Sequence, residues 1–187
     1  MAESTKIMVI RHGEKPGEPI DAPGVDQNGS PDPESLTAQG WRRAEALVRL
    51  FHPDPPATVR DELAIPQHLF AAEVSDPQSS KRPVETLTPL SKSFIPHLQI
   101  DASIEASKVN AICKAARNAG NVVLVAWKHE LIPAIALGLT NDPTPDKWPK
   151  ERFDLVWVFD RRPDGSYGFS EVPQLLLPGD LRQTMPL

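Results

Sequence analysis

The run Val122-Val-Leu-Val-Ala-Trp127 contains no polar residue, and it leads directly into Lys128-His129. Six apolar residues without alternation, half of them valine, suit a strand covered on both faces rather than one with a wet side. Such strands belong to sheets sandwiched between helices, so this segment alone points toward an α/β architecture. A shorter, largely apolar run from Lys6 to Ile10 ends in Arg11-His12-Gly13-Glu14. His68 to Ala72 reads as a third buried strand.

Helical spacing alternates with these runs. Thr37 is a plausible N-cap for a helix that places Trp41, Ala44, Leu47, Val48 and Phe51 on one stripe. The prolines at 53, 55 and 56 end it. A loop through Ser75, Asp76 and Pro77 leads to a second helix near Pro83, with Val84, Leu87 and Leu90 inward. Val109, Ile112, Cys113 and Ala116 mark a third, with Gly120 as its stop. After His129, the residues Leu131, Ile132, Ile135 and Leu139 predict a fourth. Asp154 to Phe159 and Tyr167 to Val172 flank Asp164-Gly165 and predict a hairpin. The expected fold is a three-layer α/β/α sandwich with a mostly parallel sheet and an antiparallel edge. At 187 residues the chain has the length of one domain, spanning 1–187. A long loop rich in Pro, Gly and Asp is expected at about 15–35.

The net charge of −5 leaves no basic footprint for nucleic acid or an anionic membrane surface. Cys113 is the only cysteine, so no intrachain disulfide can form. Ile7 to Ile10 is too short for the core of a signal peptide, and no run is long enough to span a bilayer. A cytoplasmic protein is the expectation. Glu14, Glu18, Asp21, Asp26, Asp32 and Glu34 stand against Lys15 alone in the 14–35 stretch. A loop of that charge overhanging a pocket would disfavour large polyanions.

Two features fall where open α/β sheets place ligands, beyond the carboxyl ends of strands. They are Arg11-His12-Gly13 after the first strand and His129 after the strongest one. Arg82 sits at the corner following the strand at 68–72. The three converge on one pocket if those strands are parallel neighbours. Their chemistry is mutually consistent. Guanidinium groups bind the oxygens of a phosphomonoester bidentately, while an imidazole attacks phosphorus in line. For that attack His12 must be neutral at the attacking nitrogen, with its other nitrogen fixed by a hydrogen bond. A protonated second histidine would stabilise charge on the transferring group. No metal or other cofactor is required. His52, His68 and His97 stand in no such motif and read as structural or solvated, while Trp127 and Cys113 read as packing residues.

Arg11-His12-Gly13-Glu14 after a short apolar strand resembles the signature of the histidine phosphatase (phosphoglycerate mutase-like) superfamily. Leu36-Thr37-Ala38-Gln39-Gly40 is similar to that family's L-T-x-x-G segment. Arg82 with Thr86 four residues on resembles its second phosphate-binding arginine motif, and Val122 to His129 the strand that delivers its second histidine. The resemblance implies a phosphohistidine at His12, hydrolysed by water, with Arg11, Arg82 and His129 holding the phosphoryl group. Glu105 stands about where the general acid lies in the mutase-like branch, branch 1; Glu130 resembles instead the His-acid pair of the acid-phosphatase branch. The compact chain favours Glu105, although His129 is followed by Glu130 where the mutase-like branch more often has glycine. The implied activity is a metal-independent phosphatase acting on a small phosphorylated substrate. The alternatives are a phosphoglycerate mutase-like phosphotransferase and a non-catalytic or repurposed phosphate-binding protein.

Overall fold

A computed structural model of the chain describes residues 3–17, 22–74 and 80–186. Its strands are β1 (Lys6–Arg11), β2 (His68–Ala72), β3 (Ile100–Ile104), β4 (Val122–Trp127), β5 (Leu155–Arg161) and β6 (Tyr167–Pro173). They form one sheet in the order β3-β2-β4-β1-β5-β6. The first four in that order run parallel, and β5 and β6 are antiparallel to their neighbours. Every residue of β4 from Val123 to Trp127 is fully buried, as a strand covered on both faces requires.

The helices α1 (Ala38–Phe51), α2 (Arg82–Ser93), α3 (Val109–Asn118) and α4 (Ile132–Leu139) complete two outer layers. Leu47, Leu50 and Phe51 of α1 pack with Leu87 and Leu90 of α2 against Met8, Ile10, Leu124 and Val158. Ile112 and Cys113 of α3 pack with Ile132, Ile135 and Leu139 of α4 against Ile7, Val9, Val125 and Trp157. Successive residues of β1 therefore feed opposite cores, which is the period-two geometry of a strand at the centre of a sandwich. Among the described residues no helix is long and apolar enough to cross a membrane.

This connectivity locates a site. The chain leaves β1 for α1 on one face and leaves β4 for α4 on the other. Between these two neighbouring strands the exits diverge, opening the crevice in which open α/β sheets bind ligands. Arg11 and Trp127 are register partners there, so His12 and Lys128-His129 emerge side by side. β2 adjoins β4, and the chain beyond it returns at Arg82 on the same edge.

β3 is the element that the sequence pattern does not predict. It is the outermost strand, and its burial alternates between half-buried and exposed, with Asp101 and Ser103 outward. The described part of the long loop is also more structured than its composition suggests. Gly24 bridges Thr37, Val25 bridges Pro31, and the indole of Trp41 donates to the Val25 carbonyl at 2.8 Å. Its acids are engaged: Asp26 accepts from Asn28 and Ser30, Asp32 pairs with Lys81, and Glu34 lies 3.6 Å from Arg82. Glu18 and Asp21, like the loop residues Ser75, Asp76 and Pro77, lie outside the described residues.

Candidate active site

The backbone N–H of His12 donates to the Trp127 carbonyl at 3.1 Å, carrying the β1–β4 ladder one residue past the strand. His12 is almost fully buried. Its Nδ1 is 2.8 Å from the carbonyl oxygen of Gly13. A carbonyl can only accept, so that contact assigns the proton to Nδ1 and the lone pair to Nε2. Burial holds the His12 pKa well below the ordinary 6.5, and the positive charge of Arg11 pushes the same way. Arg82 and His129 add smaller pushes, against the opposing effect of the Gly13 bond. Arg11, Arg82 and His129 thus all lie near enough to His12 to act on its charge. The result is a neutral imidazole with one defined nucleophilic nitrogen.

Each cation is oriented by its own loop. Arg11 is fully buried; its Nη1 donates to the carbonyls of Pro149, Lys150 and Arg152, and its guanidinium carbon lies 3.6 Å from the centre of the Phe153 ring. Arg82 begins α2 and donates to the carbonyls of Ser35 and Pro33 and to the Ser80 hydroxyl. Burial lowers its pKa, opposed by the carboxylates of Glu34, Glu85 and Asp32. Thr86, one turn into α2 and fully buried, donates to the Arg82 carbonyl and accepts the Gly13 N–H at 2.8 Å. The Arg82–Thr86 pair thus ties the second arginine to the loop that carries His12.

The L-T-x-x-G segment acts as a seat for the same loop. Thr37 caps α1 by accepting the Gly40 N–H, and both its backbone N–H and its hydroxyl donate to the Glu14 carbonyl. A Cβ on Gly40 would stand 2.5 Å from the Glu14 carbonyl oxygen and 2.9 Å from its nitrogen. Only glycine lets the helix approach the loop that closely.

The two candidate acids differ. Glu130 places a carboxylate oxygen 3.2 Å from His129 Nδ1, which orients that ring. The Glu105 side chain is 57% exposed and contacts Ser107 and Lys108. Its turn is tied to β4 because the Trp127 indole donates to the Ala106 carbonyl at 3.1 Å. Among the described residues no cluster of His, Cys, Asp or Glu is placed to hold a metal ion.

Sequence reasoning missed the groups that hold the centre from a distance. Glu14 is buried and receives bonds from Arg43, which is itself buried and also reaches Asp180 and Gln174. Arg43 falls on the inward stripe that includes Gly40, Ala44 and Leu47. A cation on such a stripe signals a buried acid partner. The carbonyls that hold Arg11 carry no comparable sequence signal.

No protein-family model matches the sequence, and no curated protein matches it. Solved structures do. A phosphoglycerate mutase from Plasmodium falciparum is similar with a TM-score of 0.53 at 13% identity, covering 99% of this chain and 100% of that one. The protein histidine phosphatase SixA, in complex with tungstate, is similar with a TM-score of 0.52 at 12% identity, covering 90% of this chain and 97% of that one. This chain has the phosphoglycerate mutase-like fold. The similarity spans nearly the whole chain in both pairs, so strand order and the placement of the β1 and β4 ends belong to the fold itself.

Proposed function

We propose that the chain is a member of the histidine phosphatase superfamily and a metal-independent phosphatase of small phosphomonoesters, working through a phosphohistidine at His12. The observation that carries this reading is the state of His12: buried, proton held on Nδ1 by Gly13, and set among Arg11, Arg82 and His129. Nε2 attacks phosphorus in line, the N–P bond forms, and the bond to the leaving oxygen breaks. Arg11, Arg82 and His129 stabilise the charge on the equatorial oxygens. Glu105 supplies the proton to the leaving oxygen. Water then attacks the phosphohistidine, giving one proton back to the Glu105 carboxylate; the N–P bond breaks, phosphate is released and neutral His12 is restored. Glu130 holds His129 rather than acting as the acid. A cytoplasmic location belongs to the same proposal, in keeping with a chain that has a single, buried cysteine and so needs no intrachain disulfide.

The test is hydrolysis of para-nitrophenyl phosphate with chelator present, by the wild type and by His12→Ala. Activity indifferent to chelator and reduced to background in the variant supports the reading. A folded wild type that binds phosphate without turnover sinks it in favour of a binding protein. Glu105→Gln separates the acid from the nucleophile. It is expected to lose about 10²–10⁴-fold on an alkyl phosphate, while para-nitrophenolate, which leaves without a proton, is released nearly as before. Phosphotransfer is the second reading, favoured by the fold-wide similarity to a phosphoglycerate mutase. It requires a phosphorylated acceptor to outcompete water for the phosphohistidine.

A further inference from the structure

We propose that Arg43 is a positioning residue for His12, acting through Glu14 and locked by Asp180 of the C-terminal segment. The proposal rests on the reading of His12 as the nucleophile and adds what fixes its imidazole. The carbonyl that holds the His12 Nδ1 proton belongs to the Gly13–Glu14 peptide. The two residues that this peptide joins are anchored at three points. Gly13 N–H donates to Thr86, the Glu14 carbonyl accepts twice from Thr37, and the buried Glu14 carboxylate is gripped by Arg43.

The grip is complete in a countable way. Arg43 Nε lies 3.0 and 3.1 Å from the two Glu14 oxygens. Nη2 donates to Glu14 and to Asp180, both at 2.8 Å, and Nη1 donates to Gln174 at 2.9 Å and to Asp180 at 3.2 Å. Those bonds use all five guanidinium N–H groups. Arg43 has no donor left for a phosphate, so it serves the site only through Glu14. Burial alone would lower its pKa, but the bonds to Asp180 and the charge of Glu14 raise it, so the cation is permanent. Asp180 is fixed in turn by the N–H groups of Leu176 and Leu177. The residues that follow β6 thereby reach the loop that carries the nucleophile, across 166 positions of sequence between Glu14 and Asp180. The same cluster walls a cavity of about 300 Å³ whose lining includes Phe153, the ring packed against both Arg11 and His12.

Arg43→Lys retains the charge but cannot span two carboxylates with a planar fork. It is expected to lower kcat on para-nitrophenyl phosphate about 10–100-fold, the scale of an ångström-sized misplacement. KM is expected to stay within about threefold, because the phosphate-binding groups are untouched. In ¹⁵N spectra of the histidine side chains, the single Nδ1–H tautomer of His12 is expected to give way to a mixture. A role confined to stability would lower the Tm and leave both kcat and the tautomer unchanged, and that result overturns the proposal. Should Arg43→Lys fail to fold, Asp180→Asn, which alters only the far side of the guanidinium, is read by the same spectra. An unchanged His12 tautomer and kcat there also overturn it. If the wild type hydrolyses nothing, the phosphatase reading fails, and the tautomer in the variants still decides whether Arg43 positions His12.

Discussion

Replacing Gly40 with alanine should separate activity from stability. A Cβ at this position stands 2.5 Å from the Glu14 carbonyl oxygen, against roughly 3.4 Å for an ordinary contact, so nearly 1 Å of movement is needed. The atoms it meets are backbone, and that backbone is tied to Thr37, Thr86 and Arg43, so no flexible side chain can swing away. Overpacking of this kind costs about 1–3 kcal/mol. Alanine in the first turn of α1 returns part of that, since glycine is about 0.8–1.0 kcal/mol worse than alanine in a helix interior. The net loss is therefore roughly 0–2 kcal/mol, or a Tm lower by no more than about 8 °C for a domain of this size. The activity has no such offset. A 1 Å shift of the Gly13–Glu14 peptide moves the carbonyl that holds the His12 proton, and misplacement on that scale costs on the order of 100-fold in rate. Thermal unfolding and para-nitrophenyl phosphate hydrolysis on the same preparation measure both quantities. Wild-type turnover from folded Gly40→Ala would show that the approach of α1 to the loop does not set the geometry of His12.

Four further outcomes follow from the structure. Because burial and Arg11 hold His12 well below 6.5, the acid limb of kcat/KM should be displaced to the acid side of 6.5, where an ordinary histidine would bring it. The same shift makes the unfolded state bind the extra proton first, so the part of stability that depends on His12 is intact above pH 6.5 and falls as pH drops below it. That acid-side loss should be smaller in His12→Asn, as followed by urea unfolding at several pH values. Thr37→Ala removes the α1 cap and one of two bonds to the Glu14 carbonyl, and should cost about 1–2 kcal/mol in denaturant midpoint analysis. Cys113, whose thiol is pushed up to about 11 mainly by burial, should resist an aromatic disulfide reagent at pH 8 until the protein is unfolded.

The parts of this fold legible in sequence are those whose cause is local. β1 and β4 are buried on both faces and so are apolar without interruption, and Thr37 caps α1 through a residue three positions on. β3 was not legible because an edge strand needs only Ile100, Ala102 and Ile104 on its inner face, too short an alternation to stand out beside Asp101 and Ser103. The position of the candidate site was legible for a related reason: a strand end delivers a fixed short motif to the sheet edge. What holds its residues was not. Arg11 takes its acceptors from residues 149–152, and Arg43 reaches Asp180; neither pairing leaves a pattern within any window of sequence. The charge of the loop misled in the same way. Asp32, Glu34 and Glu14 look like a bare acidic run in one dimension, yet Lys81, Arg82 and Arg43 answer them in three.

These pairings explain how a cationic centre can be both stable and ready to react. The carbonyls of Pro149, Lys150 and Arg152 are dipoles, so they orient Arg11 without cancelling its charge. Arg82 is likewise held chiefly by carbonyls and a hydroxyl, with Glu34 at the longer distance of 3.6 Å. Arg43, by contrast, is saturated by two carboxylates and the Gln174 side chain, and contributes rigidity rather than field. The molecule thus uses its arginines in two ways, and the difference bears on the state of His12. Burial first, and these oriented charges after it, favour the neutral imidazole that the proposed nucleophilic role requires. In the proposed reaction the same charges would attract the phosphate dianion, so one electrostatic arrangement would serve binding and activation together.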